Sequence, residues 1–496
     1  MKTTQILKSI LIPTLGISAI GTIAAVSTSC GYDLSRVTSI SLNKASLTLG
    51  ISQTETLIAT VLPENATDKT VTWTSSDTSV ATVSNGTITA VGFGATTITV
   101  TTNDGRLTAT CEVNVNGLSG YIGVTANADS TLTLDNSGGN NPNLQYSIDC
   151  TKWTTYSTTI NINQGQTLYL KGNNPTGWSH SSSIYSYLSI TGDVSLSGNI
   201  MALFDNGATL GEIGDITAIP FDYCFYDLFR GSTGISSVDE DFLPAANLKI
   251  SCYDGMFYQC TSLTNAPKLP SMNLTENCYR YMFHSCTSLA TAPKLPATRL
   301  ANSCYCQMFQ DCSSLITAPE LPATTLKDYC YYYMFGACKS LTTAPVLPAK
   351  SLTEGCYNNM FCECTSLTTA PELPATNLTK DCYAYMFRDC KSLTTAPYLP
   401  ATTLVNYCYA WMFQACSALT TAPELPATTL AQDCYRGMFY GNKSLNSIKI
   451  GYTGDYSDTY FNNWVTSVAS SGIFYYNGNQ TAQKFQLPND WTKQPF

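Results

Sequence analysis

The amino-acid sequence predicts a multidomain chain in which a β-sandwich and a second small β domain lead into an α/β solenoid. Three observations predict it. Between residues 37 and 116, seven short segments alternate apolar and polar side chains. Between 117 and 215 the same alternation resumes among Gly, Asn and Ser. From 243 to 450 one 26-residue unit occurs eight times without an insertion or deletion, and periods of this length signify stacked repeats. At 496 residues there is room for three or more cores.

Composition narrows the partners. Only 12% of residues are charged, about half the usual share. The 34 acidic and 25 basic residues leave a net charge of −9 with no Lys/Arg run, so a face that tracks phosphates has nothing to be built from, and no nucleic acid is expected as a partner. Residues 1–29 read as an export signal: Lys2 and Lys8 form a basic start, residues 9–26 are mainly apolar, and Ser27, Thr28 and Ser29 precede Cys30. This resembles a bacterial lipoprotein signal peptide, although Ser27 stands where such signals usually carry Leu. The resemblance implies lipid attachment at Cys30, a membrane held through that N-terminal lipid, and an extracytoplasmic location on the bacterial cell surface. An uncleaved membrane anchor is the alternative, against which Pro13 and the short apolar stretch argue.

In 37–116 the strand candidates are 40–42, 56–61, 71–74, 80–83, 87–91, 97–100 and 110–115, separated by turns such as Ser84-Asn85-Gly86 and Asn103-Asp104-Gly105. Seven strands in about eighty residues describe a β-sandwich. The stretch from Val71 to Val83, with Gly86-Thr87-Ile88-Thr89-Ala90 and Gly94 to Val100, resembles the bacterial Ig-like domain, group 2. The resemblance implies an Ig-like β-sandwich serving as a spacer or adhesion element. Trp73 is then expected in the core, and Cys111, without a partner in the domain, as a buried free thiol.

Residues 117–215 are expected to form a second β-rich module. Trp153, Tyr169 and Trp178 could make a sugar-stacking face, but aromatic residues more often lie inside. His180 sits in a Ser-rich loop with no catalytic neighbour.

A degenerate unit at Cys224-Phe225-Tyr226-Asp227-Leu228-Phe229 opens the array, which spans 216–450, and 451–496 is read as a C-terminal cap. In the unit that starts at Leu373, the invariant Leu378, Cys382, Tyr383, Met386, Phe387 and Cys390 fall at spacings near four, which predicts a short amphipathic helix. A short extended stretch from Leu393 to Ala396 follows, stopped by Pro397 and Pro400. One helix and one very short strand per coil describe a solenoid with a narrow sheet. Phe387, Cys390, Ser392, Leu393, Leu399 and Pro400 match, residue by residue, the BspA-like class of leucine-rich repeat. The unit is longer than usual for that class and carries Cys-Tyr before Met-Phe. The resemblance implies an α/β leucine-rich-repeat-like solenoid of the kind found in surface antigens and adhesins.

Fifteen of the 21 cysteines occupy two fixed repeat positions. Two cysteines eight apart on one helix are about 12 Å apart, too far for a disulfide. Asn442 replaces the second cysteine in the last unit. A side chain that Asn can replace reads as a donor to backbone in the turn, so buried thiol ladders are favoured over cross-links between coils. Neither Cys304/Cys306 nor Cys362/Cys364 has the His or carboxylates to complete a metal site. No cofactor, metal or catalytic residue is expected, since His284 is the one histidine of the array and no base stands beside a chosen thiol.

Positions that vary between copies face water and are where specificity can reside. Just before Met-Phe stand Tyr281, Gln307, Tyr333, Asn359, Tyr385, Trp411 and Gly437. Tyr281, Tyr333, Tyr385 and Trp411 form a candidate ligand-binding stripe, or else stack coil on coil. The expectation is a surface protein that binds a protein or glycan of a host or neighbouring cell. The rival is an envelope or spacer protein with no dedicated ligand.

Overall fold

The computed structural model describes residues 36–50, 53–91, 94–115, 121–204, 218–454, 456–477 and 485–496. The export signal, Cys30 and the boundary at 215 lie outside the described residues. The chain divides into two compact units, the first holding most of the residues up to Asn114 and the second most of those from Val115 onward.

In the first unit nine strands form: β1 Ser39–Leu42, β2 Ser46–Leu49, β3 Thr54–Thr56, β4 Ala59–Leu62, β5 Val71–Ser75, β6 Ala81–Ser84, β7 Thr87–Ala90, β8 Gly94–Thr102 and β9 Thr108–Val115. They make sheets β2-β9-β8-β5, β3-β7-β6 and β1-β4. Period-two alternation turns Leu47, Leu49, Ile88, Ile98, Val100 and Val113 inward. Cys111 is fully buried and free. Trp73 is half-buried, its indole against Gly86. That glycine turns at φ +82°, where an added Cβ would lie 2.6 Å from the Leu57 carbonyl oxygen.

The second unit opens with one sheet: β10 Ile122–Asp135, β11 Leu144–Ser147, β12 Thr154–Thr155, β13 Ile160–Ile162, β14 Thr167–Gly172, β15 Tyr187–Gly198 and β16 Ile235–Val238. The order is β12-β11-β14-β10-β15-β16, with β13 also on β10. Its apolar side, including Leu168, Leu188, Ile190 and Leu196, belongs to one continuous core with the repeats. β16 joins β15 in parallel, so the sheet leads into the array by backbone pairing. Trp178 lies in this core, fully buried, with its indole N–H donating to the Ser186 carbonyl at 2.9 Å. Trp178 thus takes the interior place that the sequence favoured for these aromatics, and a sugar-stacking face of Trp153, Tyr169 and Trp178 is not formed. Trp153 stacks on Tyr121 at 4.8 Å instead, beneath the Lys171 ammonium at 4.2 Å.

The repeats are not α/β. The helix expected over the Cys-Tyr to Met-Phe stretch is absent from every described coil, and in its place runs a curled ribbon of overlapping four-residue turns. In the coil around Tyr281, alternate N–H groups close turns within the coil: Arg280 to Asn277, Met282 to Tyr279, His284 to Tyr281 and Cys286 to Phe283, all at 3.0–3.3 Å. The intervening N–H groups reach the next coil, Tyr279 to Cys304, Tyr281 to Cys306 and Phe283 to Met308, at 3.0–3.1 Å. Each backbone donor thus has a partner without a helix or a strand, which is the condition for burying a chain segment. Every fourth residue adopts the left-handed conformation, as Asn277, Tyr281 and Ser285 do at φ 54°, 55° and 58°. A repeat of four is close enough to 3.6 to imitate a helical stripe, which is why the apolar spacing misleads.

Inside the ribbon, identical side chains stack. Phe257 on Phe283 and Phe283 on Phe309 lie 5.7 Å apart and nearly parallel; Tyr253 on Tyr279 is 6.0 Å apart. Such pairs add about 0.5–1.5 kcal/mol each beyond area burial. The Thr-Ala-Pro stretches meet only at single parallel bridges such as Thr291 to Thr317 and Thr317 to Thr343, because the prolines remove ladder donors. Pairing resumes at β17 Ser447–Ile450, β18 Ser471–Tyr476 and β19 Asp490–Pro495, a parallel sheet that ends the array. Between β17 and β18 lies one short helical turn, α1 Asp458–Phe461. Among the described residues no helix is long and apolar enough to cross a membrane.

Candidate functional site: the variable face of the array

The left-handed positions decide what the ribbon presents. The residue before Met-Phe has φ between 53° and 65° in every coil, whether Gly255, Tyr281, Gln307, Tyr333, Asn359, Tyr385, Trp411 or Gly437. For an L-residue this conformation costs roughly 1–2 kcal/mol, and only Gly, Asn and Asp visit it readily. Four coils nevertheless place a bulky aromatic ring there.

The four are half-buried and do not form one unbroken stripe. Tyr385 and Trp411 stack at 6.3 Å and 7°, and Trp411 meets the edge of Tyr440 at 5.7 Å. Gly437 leaves room for that indole, since a Cβ there would lie 2.1 Å from it. Tyr333 donates its hydroxyl to the Cys362 sulfur at 3.6 Å and tilts against Tyr332. Tyr281 stands apart, edge-on to Tyr258 at 6.4 Å and to His284 at 5.9 Å.

Those neighbours come from two further columns that the sequence reading passed over. One holds the residue before the left-handed position, such as Asp254, Arg280 and Tyr332; the other holds the residue after Phe, such as Arg230, Tyr258, His284, Gln310 and Arg388. The three columns share one face. Arg388 lies 5.7 Å from the Tyr385 ring and pairs with Glu363 at 3.3 Å. Arg280 lies 5.4 Å from the Tyr281 ring and grips Asp254 through Nε at 2.9 Å and Nη2 at 2.7 Å. All three columns vary from unit to unit, the same signal that pointed to Tyr281, and it could have found them.

At the start of the array the columns enclose a concavity of about 400 Å³. Asp227 and Asp254 are buried in its floor, paired with Arg230 at 2.9 Å and with Arg280. Burial pushes the Asp254 carboxyl up to about 7 against the pull of Arg280, and raises Asp227 as well. Desolvation lowers the His284 imidazole from its ordinary value, against the pull of Asp311. The thiols are elsewhere. Cys286, Cys312 and their counterparts lie in the interior and donate to the Phe carbonyl of the preceding coil at 3.0–3.2 Å. Every described cysteine is free, and burial raises most of these thiols well above their ordinary range. Among the described residues no group of three or more His, Cys, Asp and Glu is placed to hold a metal ion.

Comparison with known proteins agrees with the geometry. Residues 36–113 match the bacterial Ig-like domain (group 2), and residues 237–368 and 324–469 match the BspA type leucine rich repeat region in six copies. The array is a BspA-type leucine-rich repeat region. An uncharacterized protein of Clostridium acetobutylicum is 54% identical over 80 residues, 16% of this chain and 20% of that protein. An alpha-L-arabinofuranosidase of Bifidobacterium longum is 37% identical over 108 residues, 21% of this chain and 10% of the enzyme. An Ig-like virion protein of Serratia phage KSP90 is 42% identical over 81 residues, 16% of this chain and 31% of that protein. The chain thus spans a third or less of these relatives. Within the matched region Phe387, Leu393 and Leu399 are buried, and the turn ribbon with its outward columns runs through the Cys-Tyr to Met-Phe stretch.

Proposed function

We propose that the chain is a lipid-anchored binding protein of the bacterial cell surface, and that its repeat solenoid contacts a protein or glycan of a host or neighbouring cell through the three-column face. The observation that carries this reading is the placement of Tyr281, Tyr333, Tyr385 and Trp411 at left-handed positions where the same fold accepts Gly255, Asn359 and Gly437. Bulky side chains kept where the backbone disfavours them cluster at functional sites. Half-buried Tyr and Trp beside Arg are also the residues that dominate binding energy at interfaces. Ig-like and BspA-type domains accord with this role, the first as a spacer and the second as the contact surface. Nothing in the face assembles a nucleophile, base and orienting partner, so the reading is one of binding rather than catalysis.

The test immobilises the chain and measures saturable binding to matrix proteins and to glycans, before and after Tyr385→Asn and Trp411→Asn, which Asn359 shows the backbone tolerates. Loss of about thirtyfold in affinity is expected for an interface centre. Binding that the substitutions leave untouched contradicts the face. Absence of binding to every target favours a spacer role.

A further inference from the structure

We propose that the Ala-Pro-x-Leu-Pro face of the array docks a second copy of the chain, turned end for end, with Lys294 of each copy against Glu372 of the other. This face is distinct from the three variable columns and does not depend on their reading.

Burial alternates along the Ala-Pro-x-Leu-Pro stretch: Pro293, Leu295 and Ala297 lie inside, while Ala292, Lys294, Pro296 and Thr298 are half-buried or exposed. Parallel bridges on either side of the stretch, Thr291 to Thr317 and Asn273 to Arg299, hold successive coils in register, so each outward position becomes a column. The Ala and second Pro columns are invariant from Ala266 and Pro270 to Ala422 and Pro426 and make an apolar shelf without bulky side chains. Between two coils of the shelf, Pro293, Pro296, Pro319 and Pro322 line a groove of about 390 Å³ together with Lys294 and Glu320. The column between Ala and Pro is the one that changes character, through Lys268, Lys294, Glu320, Val346, Glu372, Tyr398 and Glu424. Val346 is 78% exposed and Tyr398 63%. Apolar side chains left in water beside an apolar shelf mark a protein contact.

The charges of that column select the occupant. Lys268 is held by Glu240 and Asp241 at 2.6 and 3.3 Å and Glu424 by Lys449 at 2.8 Å, whereas among the described residues Lys294, Glu320 and Glu372 have no ion-pair partner. A second copy laid on the face with its coils in the same order sets Lys294 on Lys294 and Glu372 on Glu372. Turned about a two-fold axis that runs between the coils of Glu320 and Val346, it sets Lys294 on Glu372 twice, Lys268 on Tyr398 twice and Glu320 beside Val346. No like charges then meet, and the Lys–Tyr contacts are of the cation–π kind. Moving the axis by half a coil puts Glu320 on Glu372 or on itself. Moving it by a whole coil either calls on Glu424, already held by Lys449, or cuts the overlap to four coils. The column is thus self-complementary in one antiparallel register, as an isologous dimer requires, and opposed charges fix register more than they add affinity.

The face is large enough for a weak dimer. Six coils about 4.8 Å apart, crossed by about 20 Å of chain, offer roughly 600 Å² per copy. Two copies bury roughly 1,200 Å², the lower end of specific interfaces.

Sedimentation velocity on the full chain, over a concentration series at low and high salt, tests this. A reversible monomer–dimer equilibrium that weakens with salt is expected. Lys294→Glu alone and Glu372→Lys alone should each weaken it about tenfold or more, with circular dichroism unchanged because both side chains are exposed. An equimolar mixture of the two single variants should dimerise like the parent, since each Glu at 294 then faces a Lys at 372 and each native Lys294 a native Glu372. The proposal is overturned if the parent stays monomeric, if both single variants dimerise like the parent, or if mixing them restores nothing.

Discussion

The thiol of Cys390 donates to the carbonyl oxygen of Phe361 at 3.0 Å, tying one coil to the coil before it. That oxygen also accepts the Cys364 N–H at 3.1 Å within its own coil, so the thiol fills the second lone pair of a carbonyl that would otherwise be half-satisfied in the interior. The relation repeats from Cys260 with Phe229 to Cys416 with Phe387.

Thiol reactivity should follow burial. Cys150 is the one described cysteine that is not buried, and it is expected to react first with an exposed-thiol reagent. It should do so slowly at neutral pH, because burial still pushes its thiol up to about 11. The ladder cysteines should label only on unfolding, since the thiolate is the reactive form. Mass spectrometry after timed labelling, with and without denaturant, checks this order. Rapid labelling of ladder positions in the native chain would contradict it.

Asn442 was expected to donate to backbone in the turn, as the replaced thiol does across coils. Instead it is fully buried with both amide atoms unpartnered. An orphaned buried amide costs about 1–3 kcal/mol. Asn442→Cys places a thiol where Cys416 has one in the preceding coil, within reach of the Phe413 carbonyl by the 26-residue register. It should stabilise the C-terminal coils by about that amount, read as a higher denaturant midpoint. An unchanged or lower midpoint would refute the ladder's contribution.

Asp254 gives the array a pH dependence of definite sign. Its carboxyl is raised from an ordinary value near 4 to about 7 by burial, so the folded state holds the proton more tightly than the unfolded chain. The stability this provides is complete below about pH 4 and is lost as pH rises through 7. Three units correspond to a loss on the order of 4 kcal/mol at most. Asp227 is shifted in the same direction. Denaturation midpoints measured from pH 4 to 8 should fall for the parent chain and fall less for Asp254→Asn. Parallel slopes would show that Asp254 is not the group responsible.

What was legible in the sequence was whatever repeats or alternates. The Ig-like strands announced themselves by period two, although 56–61 breaks into β3 and β4 around Leu57: its N–H still follows the β3–β7 register to the Gly86 carbonyl at 2.9 Å, whereas Ala59–Leu62 crosses to pair with β1. The 26-residue stacking and the buried Cys, Tyr, Met and Phe columns were equally plain. The helix was the misreading, because apolar residues four apart fit a helix and a chain of turns alike. The discriminating signal lay on the polar side: Asn277, Asp311, Gly355, Asp381, Asp389 and Asp433 recur at the four-residue positions now seen at positive φ. Those residue types are poor helix interiors and good left-handed ones. The candidate stripe was found by variation alone, whereas Asp227, Asp254 and His284 are brought together by a fold that the sequence pattern had misnamed.

The turn ribbon is the claim on which the outward columns depend, and Ala415→Gly tests it most directly. Ala415 sits at φ 58°, and the change removes one methyl group and nothing else. In a left-handed turn it should stabilise the chain by about 1 kcal/mol, raising the denaturant midpoint. In the interior of a helix the same change costs about 1 kcal/mol, so a lowered midpoint would contradict the ribbon.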